Sequence, residues 1–102
     1  MPSRSSIERR AHDLIAMVKR AVNAADPEGL LAGGAPDDEY EREVALIAGR
    51  IYNRHASSVE AIHAIVYEAF GPHADGEAHT DTFRQLAESL MRVVNELGLH
   101  DA

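Results

Sequence analysis

Two groups of residues in this chain have the types that could do chemistry. His73, Asp75, His79 and Asp81 bring two imidazoles and two carboxylates together in one stretch, a donor set suited to zinc or a similar divalent ion. A metal-dependent or metal-regulated enzyme is the function such a cluster would serve. Its spacing matches no zinc motif, and Asp75-Gly76 is itself a standard turn pair. The four therefore stand as candidate ligands only, and no metal or cofactor is expected. The second group is the run from Asp26 to Glu43. Asp26, Glu28, Asp37, Asp38, Glu39, Glu41 and Glu43 face a single base there, Arg42, a balance of −6 within a formal net charge of −7. Calcium would suit so many carboxylates, but the spacing of an EF-hand loop is absent.

Other catalytic chemistries find no support. The chain has no cysteine, so thiolate metal sites and Cys nucleophiles are excluded, as are disulfides. No Ser/His/Asp set is legible, and Gly33-Gly34 lacks the lysine and preceding strand of a phosphate loop. No catalytic residue is assigned. An acidic chain repels phosphate backbones, which argues against nucleic-acid partners. Charged residues interrupt every apolar run, so neither a signal peptide nor a membrane span is expected. These features suit a cytoplasmic protein.

The elements that must position these residues read as helices. At 102 residues the chain fits one domain with one core, with residues 1–4 expected to be disordered and 99–102 a loose tail. Ser5 and Glu8 have capping-box spacing. Ile7, Ala11, Leu14, Val18, Val22 and Ala25 then recur at helical intervals, and Asp26-Pro27 closes the helix. Glu28 to Leu31 are expected to form a helical turn that tucks Leu30 and Leu31 inward before Gly33, Gly34 and Pro36 break the chain. A second helix is expected from Asp37 or Asp38, either of which could cap it, with Tyr40, Val44, Ile47, Ala48, Ile51 and Tyr52 buried. His55 falls near its end.

A third helix is expected from Ser57, with Glu60 completing its capping box, to Gly71-Pro72. Val59, Ile62, Ile65, Val66, Ala69 and Phe70 cover more than half its circumference, which predicts a central position. His63 and Tyr67 lie at the edge of that face, and a satisfied, partly buried histidine is expected. Thr80 or Asp81 should cap a fourth helix that buries Phe83, Leu86, Ala87, Leu90, Val94 and Leu97 and stops at Gly98, with Leu99 folding back. No segment alternates as a strand does. The fold predicted is all-α: a compact four-helix domain with an irregular acidic loop between its first two helices.

Asp26-Pro27, Gly29-Leu30-Leu31, and Pro36 followed by Asp38-Glu39-Tyr40 with Glu43 one turn on resemble the YugE-like family of small bacterial helical proteins. The likeness runs from the end of the first helix through the second, and departs from the family's habit at Ala25, where an aromatic residue is common. The resemblance implies a helical fold and no particular activity. Similar small acidic proteins also occur among toxin-immunity proteins, which implies binding to another protein. From the residues alone, these motif positions read as structural, with Tyr40 a core aromatic whose hydroxyl is satisfied. Glu41 is expected at the core edge, bonded to a loop amide.

The function expected is a non-enzymatic protein-interaction module, immunity-like or self-associating as a homodimer. Its expected surface is the acidic segment 26–43 together with the outer face of the second helix: Glu39, Arg42, Glu43, Leu46 and Arg50. Leu46 is the large apolar residue of that helix which falls outside the buried stripe, ringed by charges of both signs, as an interface anchor with a polar rim would be.

Overall fold

Leu14, Val18 and Val22 recur every fourth residue and are sealed from solvent, forming the buried ridge of α1 (Arg4–Ala25). In this computed structural model the described residues are 4–27, 29, 31–70 and 77–98, with side chains described from Arg9 in the first helix and Asp81 in the last. Because α1 begins at Arg4, Ser5 lies inside the first turn and is not the expected cap. Extending a nucleated helix by one good helix former costs little.

The start expected for the second helix is also displaced. Pro36 to Tyr40 form successive turns, with the Glu39 amide donating to the Pro36 carbonyl (3.1 Å) and the Glu41 amide to that of Asp38 (3.0 Å). Asn23 Nδ2 donates to the Asp37 carbonyl at 2.9 Å, fixing this backbone to α1. Helix α2 therefore runs from Glu41 to Arg54, with Tyr40 at the N-cap position and no side-chain cap bond. Asp37 and Asp38 cap nothing. Glu41 and Glu43 occupy the first turn, where the helix dipole favours negative charge.

Helix α2 ends at His55, in the left-handed conformation (φ 51°, ψ 45°). The His55 amide donates to the Ile51 carbonyl, and the Ala56 amide reaches the same oxygen at 3.2 Å, a Schellman-type ending usually given to glycine. Helix α3 (Val59–Phe70) starts one residue later than Ser57 would place it. Ser58 is the cap: its Oγ accepts the Ala61 amide at 3.1 Å. Helix α4 (Glu77–Leu97) starts before Thr80 and Asp81, so neither caps it. It stops at Gly98, whose φ of 66° suits glycine; Leu99 and the expected ending of α3 at Gly71-Pro72 lie outside the described residues.

The four helices close a ring, α1 against α2 and α4, and α3 against α2 and α4. Helix α3 is thus one wall and not the centre. Its wide apolar face serves two flanking neighbours, and Ile62, Ile65, Val66 and Phe70 are buried between them. There is no strand among the described residues. The Cα radius of gyration, 13.5 Å, is close to the ~13 Å of a compact domain this long. An aromatic chain crosses the core: Tyr40 meets Phe70 edge-on at 5.9 Å, Phe70 stacks on Phe83 at 5.2 Å, and Tyr67 meets Phe83 edge-on at 6.3 Å.

Candidate functional site

The motif residues Asp26 to Tyr40 form a lock between α1 and α2. Asp26 sits just past α1 with φ 44°, a conformation to which Asp and Asn are better suited than most residues. Its amide donates back to the Val22 carbonyl at 2.8 Å, and this geometry turns its carboxylate over the loop. Oδ1 accepts the Leu31 amide (3.1 Å) and the Tyr40 hydroxyl (2.6 Å), and Oδ2 accepts the Ala32 amide (2.9 Å). Pro27 is buried and leads the turn in which the Gly29 amide donates to the Asp26 carbonyl at 2.9 Å, while Gly29 has φ 70°. Tyr40 is 1 % exposed, so its hydroxyl is a satisfied core group. Contrary to the bond expected for Glu41, the Leu31 and Ala32 amides are held by Asp26, and Glu41 is exposed. The helical turn runs from Gly29 to Gly33 (amide to carbonyl 3.1 Å), and Leu31 packs against the core. Leu30 lies outside the described residues. The contacts named here all hold the loop.

The residues expected on the outer face of α2 divide. Glu39 and Arg42 are exposed, whereas Glu43, Leu46 and Arg50 are half-buried. Arg50 Nη1 lies 3.3 Å from Glu68 Oε1 on α3, and Arg54 makes a bidentate pair with the same carboxylate at 2.9 and 3.0 Å. The Arg54 hydrogen bonds hold the Glu68 carboxyl below the usual range against a smaller opposing effect of burial, and Glu68 raises Arg54 in turn. The Arg50 edge of this stripe thus faces α3. Of the expected metal candidates, His73, Asp75 and the His79 side chain lie outside the described residues, and Asp81 is exposed on α4. Among the described residues no group of three or more His, Cys, Asp or Glu side chains could hold a metal. His63 is half-buried, but its Nε2 is buried without a hydrogen-bond partner, contrary to the satisfied histidine expected.

Beside this stripe, where α2 meets α1, the surface is apolar and open. Ala11, Leu14 and Ile15 of α1, with Ala45, Ala48, Gly49, Tyr52 and Asn53 of α2, line a groove of about 190 Å³. Three large apolar side chains are exposed among the described residues, Ile15 (48 %), Tyr52 (38 %) and Tyr67, and the first two stand on this groove. Tyr52 is not in the buried stripe as expected. Five residues beyond Ile47, at roughly 100° per residue, it stands about 140° around the helix from Ile47, although it is one turn beyond buried Ala48. Gly49 lines the groove and is exposed, and a Cβ built there would meet nothing within 4 Å. Glycine inside a helix costs about 1 kcal/mol relative to alanine, yet none of the described residues requires its small size. Ile15 and Gly49 escape a reading of buried stripes. An apolar residue outside the Leu14–Val18–Val22 ridge and a glycine amid good helix formers were the available signals.

A second groove, about 340 Å³, lies between α1 and α4 over Met17, Ala21 and Val93, with Arg20, Ser89, Arg92 and Glu96 also on its lining. None of the exposed large apolar side chains stands on it. Among the described residues no helix is long and apolar enough to cross a membrane. Comparisons with protein-family models, with curated proteins and with solved structures returned no match.

Proposed function

We propose that this chain is a non-enzymatic protein-interaction module whose contact surface is the α1–α2 face, flanked at one end by the acidic 37–43 run. The observation that carries this reading is the convergence of exposed Ile15 and Tyr52 on one groove lined by Gly49. Apolar anchors of this kind beside polar side chains are the anatomy of an interface. At about 190 Å³ the groove is smaller than the ~300–1,000 Å³ usual for small-molecule sites, but it can seat a side chain from a partner. Glu39 and Arg42, exposed within the acidic run, supply charged rim groups. The outer stripe through Leu46 is the less open side of α2, since Leu46 is half-buried and Arg50 faces Glu68. The likeness of the Asp26–Tyr40 text to the YugE-like family supports a helical protein, and the occurrence of small acidic proteins among immunity proteins supports one that works by binding, in the cytoplasm.

A photo-cross-linking side chain placed at Ile15 in living cells tests it, with Ala64 on α3, also exposed, as the control position. A protein adduct at position 15 and none at 64 is expected. No adduct at 15, or equal adducts at both positions, would refute the assignment of this face.

A further inference from the structure

We infer that the groove between α1 and α4 is a binding site for a monoanion with an unbranched apolar tail, of the medium-chain carboxylate class. Its floor is apolar: Met17 and Ala21 of α1 are half-buried against the core, and Val93 of α4 is buried. At about 340 Å³ the groove enters the ~300–1,000 Å³ range of small-molecule sites. None of the exposed large apolar side chains among the described residues stands on it. Unlike the α1–α2 face, it therefore offers no anchor of its own and instead receives an apolar group. The α4 wall from Ser89 to Glu96 is ~10.5 Å long at helical rise, which suits a tail of medium length.

Charge selects the head group. Arg20 stands on the α1 wall and Arg92 on the α4 wall, and both are exposed. Arg50 and Arg54 pair with Glu68, and Arg84 with Glu88, whereas Arg20 and Arg92 make no ion pair with a described residue. Two guanidiniums on facing walls of one groove repel each other, and an anion between them relieves that repulsion. Glu96 also lines the groove, one turn from Arg92 and unpaired with it. Two positive charges and one negative call for a single anionic charge, so a carboxylate matches the groove better than a doubly charged phosphate. Ser89, half-buried on the α4 wall, adds a hydroxyl donor. Beyond the groove, its helical rows carry exposed Arg9, Arg10 and Asp13 on α1 and exposed Gln85 and Asp81 on α4. Those flanking charges cancel. The positive excess lies at the groove itself, in a chain whose net charge is −7.

Backbone amide resonances of the labelled full chain, followed while sodium octanoate is added, test this. Saturable shifts at residues 17–21 and 89–96 are expected, with a dissociation constant of about 1 mM or lower. Octylammonium, with a like tail and the opposite charge, and acetate, with the head group and no tail, should leave those residues unshifted over the same range. Arg20→Gln/Arg92→Gln should stay helical by circular dichroism, since both side chains are exposed, and should bind octanoate roughly tenfold more weakly. Glu96→Gln should bind it more tightly, and added salt should weaken binding to the wild type. Shifts that do not saturate, or that spread equally over the α1–α2 groove, would overturn the inference. So would equal binding of octylammonium or acetate, a double variant that binds like wild type, or a Glu96→Gln chain of unchanged affinity.

Discussion

Replacing Tyr40 with phenylalanine removes one oxygen from the lock that joins α1 to α2. The lost bond is short, 2.6 Å from the hydroxyl to Asp26 Oδ1, and its acceptor is a carboxylate. Hydrogen bonds to charged groups contribute about 1.5–3 kcal/mol each. Asp26 is only half-buried and keeps the Leu31 and Ala32 amides, so water can partly replace the hydroxyl and the lower half of that range applies. The ring itself stays, with its edge-on contact to Phe70 at 5.9 Å, so no large cavity opens. A loss of about 1.5–2 kcal/mol corresponds to a fall in Tm of roughly 6–16 °C for a domain this size. Thermal and urea unfolding would measure it, and amide exchange should quicken at Leu31 and Ala32 as the loop loosens. Tyr67→Phe, at a tyrosine 43 % exposed, is the control and should change little. A Tyr40→Phe chain that melts within ~2 °C of wild type would show that the lock does not stabilise the fold.

His55→Gly should stabilise the chain by up to about 1 kcal/mol in urea unfolding, because the left-handed strain at φ 51° exceeds the entropy that glycine costs; a destabilised variant would mean that the imidazole makes a contact worth more than the strain. Glu68→Gln tests the α2–α3 ion pair by its pH dependence. Its folded pKa is depressed, chiefly by the Arg54 hydrogen bonds, so the stabilisation is present above the unfolded glutamate value of about 4.3 and is lost as pH falls through the folded one. Wild type should therefore melt slightly above Glu68→Gln at neutral pH, with the gap closing in acid. A gap independent of pH would contradict the pairing.

What was legible in the sequence was decided by apolar spacing. Val18 and Val22, Ile47 and Ile51, Ile62 and Val66, and Leu86 and Leu90 all keep helical intervals, and all are buried. Helix starts were less legible, because capping residues are common in turns as well. Asp37 and Asp38 look like caps, but Asn23 holds this backbone in a turn and Tyr40 is drawn to Asp26. Asp26 and Tyr40 were recognisable as a motif, but their bond joins residues fourteen apart and depends on how α1 and α2 meet. The exposure of Tyr52 has the same origin. Spacing sets its angle from Ile47, but the separation of α1 and α2 decides whether that angle is covered. The candidate groove therefore belongs to tertiary structure, apart from the hint given by Gly49.

The most direct test of the α1–α2 face as an interface is to follow backbone amide resonances of isotopically labelled protein as unlabelled extract of its source cells is added. Shifts or broadening should be confined to Ala11–Lys19 and Ala45–Asn53, and should be lost when Ile15 and Tyr52 are both replaced by serine. Changes centred on α3 and α4, or none at all, would contradict it.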